Sequence, residues 1–138
     1  MILVDANVVS EPPRAVPESR VADWLDAQTL ETFCLSAITV AELRFGVRLP
    51  VGRRRDRLRN DLEGQVLPMF AGRVLAFNLV ASQACSELMA RARSAGLANS
   101  ISDGYIAATA TASGVMVATR GIAPLRAAGL ETIDTWAA

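Results

Sequence analysis

The chain contains neither histidine nor lysine, and all fourteen of its basic residues are arginine. Without an imidazole there is no Ser–His–Asp triad, no histidine general base and no His-ligated zinc. Hydrolytic chemistry then has to come from carboxylates, hydroxyls, arginine or a metal held by oxygen ligands. Only two cysteines occur. Cys34 lies in a strand-like apolar run and Cys85 inside a helical pattern, so they read as core thiols in a reducing compartment, not as a disulfide framework or a zinc site. No apolar run approaches the roughly 20 residues that span a bilayer, and the N-terminus lacks the basic region of a signal peptide. A cytoplasmic protein with no membrane association is the expectation. Acidic and basic residues balance to a formal net charge of zero, which argues against a globally basic nucleic-acid binder.

What is present fits an ordinary globular protein: 51% of residues are apolar and 20% charged. A single domain over residues 1–138 buries on the order of 70% of its unfolded surface. "MILV" is a short apolar run ending at Asp5 and predicts a buried strand. The following stretch is turn-rich, with Pro12, Pro13 and Pro17 preventing a long helix. Helices are predicted from Ser19 to about Thr29, over "SAITVAELRFGVRL" to near Pro50, and from Gly52 to Val66. Asn78 is a plausible N-cap for a long helix with Val80, Ala84, Leu88 and Met89 on its apolar side and Gly96 as its stop. Another helix covers residues 102–113 and ends at Gly114. "TFCLS", "RVLAF", "VMVAT" and "ETIDT" complete the strands. Strands alternating with helices predict an α/β fold, a central parallel sheet covered on both faces by helices. Trp24 and Tyr105 fall in amphipathic patterns and read as packing residues, while Trp136 lies too near the end to place.

In such a sheet, functional groups gather beyond the carboxyl ends of the strands. Asp5, Thr119 and Arg120 follow predicted strands directly, Glu42 lies on the helix after the second strand, and Asp103 opens the helix feeding the fourth. Each acid also has a purely structural reading. Asp5 caps the turn after its strand, while Glu42 follows Thr39, and Asp103 follows Ser100, at capping-box spacing. Taken together they mean more, because two carboxylates about 4 Å apart repel by roughly 4 kcal/mol at an effective dielectric near 20. Such groups share protons or bind a cation, and a hard ion such as Mg²⁺ or Mn²⁺ suits oxygen ligands.

The stretches "LVDANVVSE", "LSAITVAELRFGV", "ISDGYIAATA" and "VATRG" resemble, in order and spacing, the successive motifs of PIN-domain proteins. Within them the resemblance is to the VapC-like toxins of type II toxin–antitoxin pairs. It implies a three-layer α/β/α domain, Mg²⁺- or Mn²⁺-dependent cleavage of RNA, homodimerisation extending to higher toxin–antitoxin assembly, and inhibition by a small cognate antitoxin. Asp5, Glu42 and Asp103 match the family's first three acidic positions and are implied as metal ligands and catalytic groups. Asn7 and Thr119 match polar residues beside the pocket, and Arg120 is a candidate phosphate contact. The family's further Asp after the "TR" pair is absent, because Gly121 and Pro124 take its two usual places. The alternative is therefore a catalytically weakened PIN domain that acts by binding RNA or an antitoxin. An aspartyl-phosphate phosphotransferase would want an acid where Asn7 stands, and a lysine. Five arginines crowd into residues 53–59. They read either as a solvated helix face or as a surface for RNA or antitoxin.

Overall fold

A computed structural model describes residues 1–10, 18–96, 101–120, 125–126 and 129–134. Five short runs of mostly apolar residues form its strands: β1 (Ile2–Val4), β2 (Phe33–Ser36), β3 (Val74–Leu75), β4 (Met116–Ala118) and β5 (Thr132–Ile133). All neighbours are parallel, in the order β3-β2-β1-β4-β5. Leu3 lies level with Cys34 and Val117, and Val4 with Ala118. Successive side chains of a strand point to opposite faces, and the core divides accordingly. Leu3, Cys34 and Val117 pack with Cys85, Leu88 and Ile106 on one face. Val4, Leu35 and Ala118 pack with Val8, Val21 and Val40 on the other. Both faces are thus covered, and the expected α/β/α layering is what the chain forms. Burying a side chain such as Leu3 or Leu35 completely is worth about 1.5–3 kcal/mol.

The helices are α1 (Ala6–Ser10), α2 (Ser19–Asp26), α3 (Ala37–Arg48), α4 (Gly52–Asp61), α5 (Leu67–Met69), α6 (Leu79–Ser94) and α7 (Ile101–Ser113). A π-helical turn, Leu62–Val66, joins α4 to α5. The charged helix therefore runs past Val66, and Pro68, which has no N–H for the ladder, comes two residues after the π-helical turn. Asn78 caps α6 as expected, its side chain accepting from the Ala81 amide at 3.0 Å. Gly114 closes α7 with φ 66°, a left-handed conformation that favours glycine.

Two expectations need correction. Val80 is 63% exposed, because α6 buries the stripe Ala81, Cys85, Leu88 and Ala92 instead. Glu42 takes no part in a capping box. The cap of α3 is Ser36, whose hydroxyl accepts from the Thr39 amide at 2.8 Å, which puts Glu42 beyond the first turn. Trp24 packs on Phe33 at 5.5 Å and Tyr105 on Phe77 at 5.0 Å, both as packing residues. Both cysteines are buried free thiols. Residues 11–17, Ser100, Gly121, Pro124 and Trp136 lie outside the described residues.

Candidate active site

The chain lays β1, β2 and β3 successively to one side, then places β4 and β5 on the other side of β1. The order reverses between β1 and β4, and at such a switch point the loops leaving two adjacent strands diverge and open a crevice. Asp5 directly follows β1 there and Thr119 directly follows β4. The backbone holds them together, since the Asp5 amide donates to the Ala118 carbonyl at 3.1 Å.

Asp5 is buried, and its carbonyl accepts from the Val8 and Val9 amides, starting α1. One carboxylate oxygen accepts from the Ala6 amide at 2.6 Å and the other from the Thr119 hydroxyl at 2.7 Å. Burial nevertheless pushes the Asp5 carboxyl above the ordinary carboxylate range. The hydrogen bonds from Thr119, Ala6 and Asn7 oppose that rise, and the negative charge of Asp103 adds to it. A cavity of about 50 Å³ opens beside these groups, lined by Asp5, Asn7, Asp103 and Thr119 over an apolar floor of Ile106, Val117 and Leu125.

Glu42 approaches from the neighbouring groove, which it shares with Ala6 and Leu43. One of its carboxylate oxygens accepts from the Ser102 hydroxyl at 3.4 Å, and the other is buried with no hydrogen-bond partner among the described residues. Burial raises the Glu42 carboxyl, and the charges of Asp5 and then Asp103 raise it further. The structure therefore brings Asp5, Asn7, Asp103 and Thr119 to one cavity and Glu42 within their field. Arg120 is not among the residues lining that cavity. It is exposed, and its charge acts on Glu18, the N-cap residue of α2. Ser102 is a contact that the sequence did not announce. Its only signal is adjacency to Asp103, and its role emerges only once α7 is set against α3.

The donor set suits a hard divalent cation: oxygen atoms only, like-charged, with one buried oxygen of Glu42 lacking a partner. Among the described residues no three His, Cys, Asp or Glu side chains form a ready ligand cage. The acids stand around the crevice, where the charge of Asp103 adds to the proton affinity of Asp5 and the charges of Asp5 and Asp103 add to that of Glu42, and a cation is the natural neutraliser of such a group.

A parallel sheet with acids gathered at its switch point is the architecture of the PIN domain, whose family profile matches residues 2–130; the chain belongs to that family. Among its relatives, "Plasmid stability protein StbB" of Pseudomonas syringae pv. tomato is 55% identical over 139 residues, covering 100% of both chains. "VapC ribonuclease Y4jK" of Sinorhizobium fredii is 55% identical over 137 residues, covering 99% of this chain and 98% of that one. "Toxin FitB" of Neisseria gonorrhoeae is 44% identical over 137 residues, covering 99% of each. A solved structure of FitAB bound to an IR36 DNA fragment has a TM-score of 0.95 at 42% identity, covering 99% of this chain and 96% of that one.

Proposed function

We propose that this chain is an endoribonuclease toxin of a toxin–antitoxin pair, a single domain over residues 1–138 that cleaves RNA with a Mg²⁺ or Mn²⁺ ion held by Asp5, Asp103 and Glu42. The observation that carries the reading is the buried Glu42 oxygen without a hydrogen-bond partner among the described residues, set in the field of Asp5 and Asp103. A polar atom so placed is costly unless something completes it. Relatives named as a VapC ribonuclease and a toxin support the same reading. When bound, the ion lowers the pKa of its water and neutralises charge on phosphoryl oxygens. Thr119 and the Ala6 amide hold the Asp5 carboxylate in one orientation, so its lone pairs are aimed before any ligand arrives. Glu42, its proton affinity raised, takes the proton of the attacking water. Asn7 at the cavity wall contacts substrate, and Arg120, next in the chain after Thr119, steadies a phosphate. The FitAB complex on DNA supports a partnership of this chain with a small antitoxin, and the family resemblance adds a second copy of the chain itself.

A second reading is favoured by one observation, the presence of Gly121 and Pro124 where the family pattern has its further acid. In that reading the pocket binds RNA or antitoxin with little turnover. Single-turnover RNA cleavage during a Mn²⁺ titration decides. Asp5→Asn, Glu42→Gln and Asp103→Asn are each expected to abolish cleavage while thermal unfolding stays cooperative. If the wild-type protein binds Mn²⁺ and RNA but does not cleave, the second reading holds. If Asp103→Asn unfolds the protein yet spares cleavage, Asp103 is only a helix residue.

A further inference from the structure

Of the arginine run of residues 53–59, none lines the cavity of Asp5 and Asp103 and only Arg54 lines the groove holding Glu42, and the fold does not require the run. Helix α4 has no buried residue at all. Its arginines repeat at i,i+4 (Arg53 with Arg57, Arg55 with Arg59), a spacing at which like charges weaken a helix. Core packing therefore does not account for this composition.

On one side of α4 lies a groove of about 650 Å³ between α3 and α4, lined by Arg44, Arg48, Arg55, Arg59, Val47 and Glu63. Four cations face one lining anion. Glu63 takes both Nε and Nη2 of Arg44, at 2.7 and 3.1 Å, which fixes that guanidinium plane. Arg55 and Arg59 share the single Asp56 at 3.9 and 3.5 Å, and Arg48 has no ion-pair partner among the described residues. Two arginines on each helix stand one turn apart, about 6 Å at 1.5 Å per residue, so two cationic rows face each other across the groove.

We infer that this groove is a docking surface for the phosphate backbone of a single-stranded RNA segment, continuous with the strand presented to the acidic crevice. The inference rests on the ribonuclease reading and adds to it the place where substrate is held. The crevice is acidic and repels a polyanion, and the whole chain has zero net charge, so attraction has to be local. Planar guanidinium forks suit phosphate. Among the described residues no aromatic side chain lines the groove, so they offer no stacking platform and read backbone, not base. Helix α3 carries both Glu42 and Arg48, six residues or about 9 Å apart along its axis, and Val47 lines both this groove and the one holding Glu42, so the two surfaces adjoin.

Two double variants of the full chain, matched in charge, test this. R55Q/R59Q empties the groove side of α4, whereas R53Q/R57Q removes the same charge from residues that line neither this groove nor the one holding Glu42. Binding of a short fluorescein-labelled single-stranded RNA is followed by anisotropy in EDTA, so that cleavage is not read. R55Q/R59Q is expected to weaken binding about tenfold or more and to reduce the slope of log affinity against log salt by about 1.4, that is about 0.7 for each of the two phosphates no longer neutralised. R53Q/R57Q is expected to weaken it less than about threefold, and circular dichroism of both should match wild type. Equal weakening in the two variants, or none in either, overturns the groove. So does a poly-glutamate peptide that displaces RNA at lower concentration than unlabelled RNA does, since the surface is then one for an acidic peptide. A protein that binds RNA through the groove and never cleaves it sinks the ribonuclease reading alone; one that cleaves RNA while R55Q/R59Q binds normally sinks the groove alone.

Discussion

Replacing Thr119 by valine keeps the shape of the side chain and deletes one donor. That donor lies 2.7 Å from an Asp5 carboxylate oxygen, and both residues are buried. Leaving a buried acceptor short of a partner costs about 1–3 kcal/mol. For a chain of this size the midpoint of thermal unfolding should fall by about 3–10 °C. The Thr119 hydrogen bond favours ionised Asp5, so its removal lifts an already raised Asp5 carboxyl further. The stability difference between wild type and T119V is therefore present above the folded pKa of Asp5 and is lost as pH falls through it. Asp5 must be ionised to attract a cation, so the onset of Mn²⁺ binding moves to higher pH in the variant. Melts across pH and Mn²⁺ calorimetry at several pH values check both effects. An unchanged midpoint together with a superimposable binding profile would refute the assignment of Thr119 as the group that positions Asp5.

Glu42→Gln should make the metal-free protein relatively more stable, and increasingly so with rising pH. Raised folded pKa values mean that Asp5 and Glu42 favour the fold below their unfolded pKa and lose that contribution as pH rises through the folded one. The E42Q-minus-wild-type difference in melting midpoint reads this directly, and a difference that shrinks with pH would contradict it. Arg73→Met should destabilise by about 2 kcal/mol in urea unfolding. Its guanidinium donates to the Phe33 carbonyl at 2.9 Å and to the Met69 carbonyl, and it lies over the Phe70 ring. Arg57→Gln, on the exposed face of α4, should stay within about 0.5 kcal/mol; equal costs for the two would show that the hydrogen bonds of Arg73 do not stabilise the fold.

The strands were legible because a buried parallel strand is written as an uninterrupted apolar run, and "MILV" and "VMVA" each lead directly into a crevice residue. Asn78 and Gly114 were legible because capping and left-handed backbone demand few residue types. Glu42 shows the limit. Its spacing from Thr39 mimics a capping box, and only the place where β2 ends decides that Ser36 is the cap. Val80 shows another, since an apolar residue in the first turn of a helix carries no mark of which way that turn faces. Arg120 was placed by its strand but not aimed, because the nearness of Glu18 depends on how α2 returns to the sheet. The charge of the arginine run was plain from sequence, whereas the groove required α3 and α4 to fold back on each other.

Asp5 and Thr119 share a hydrogen bond across a separation of 114 residues. A ribosome therefore emits the carboxylate of the crevice long before its hydroxyl partner. At about 5–20 residues per second, the span takes on the order of 10 s to synthesise, and during that time the nascent chain has one wall of the crevice and not the other. Chains released before β4 is made lack Thr119 and the strand that anchors the Asp5 amide, and are expected to be inert. Activity would then be switched on by the emergence of β4 from the ribosome.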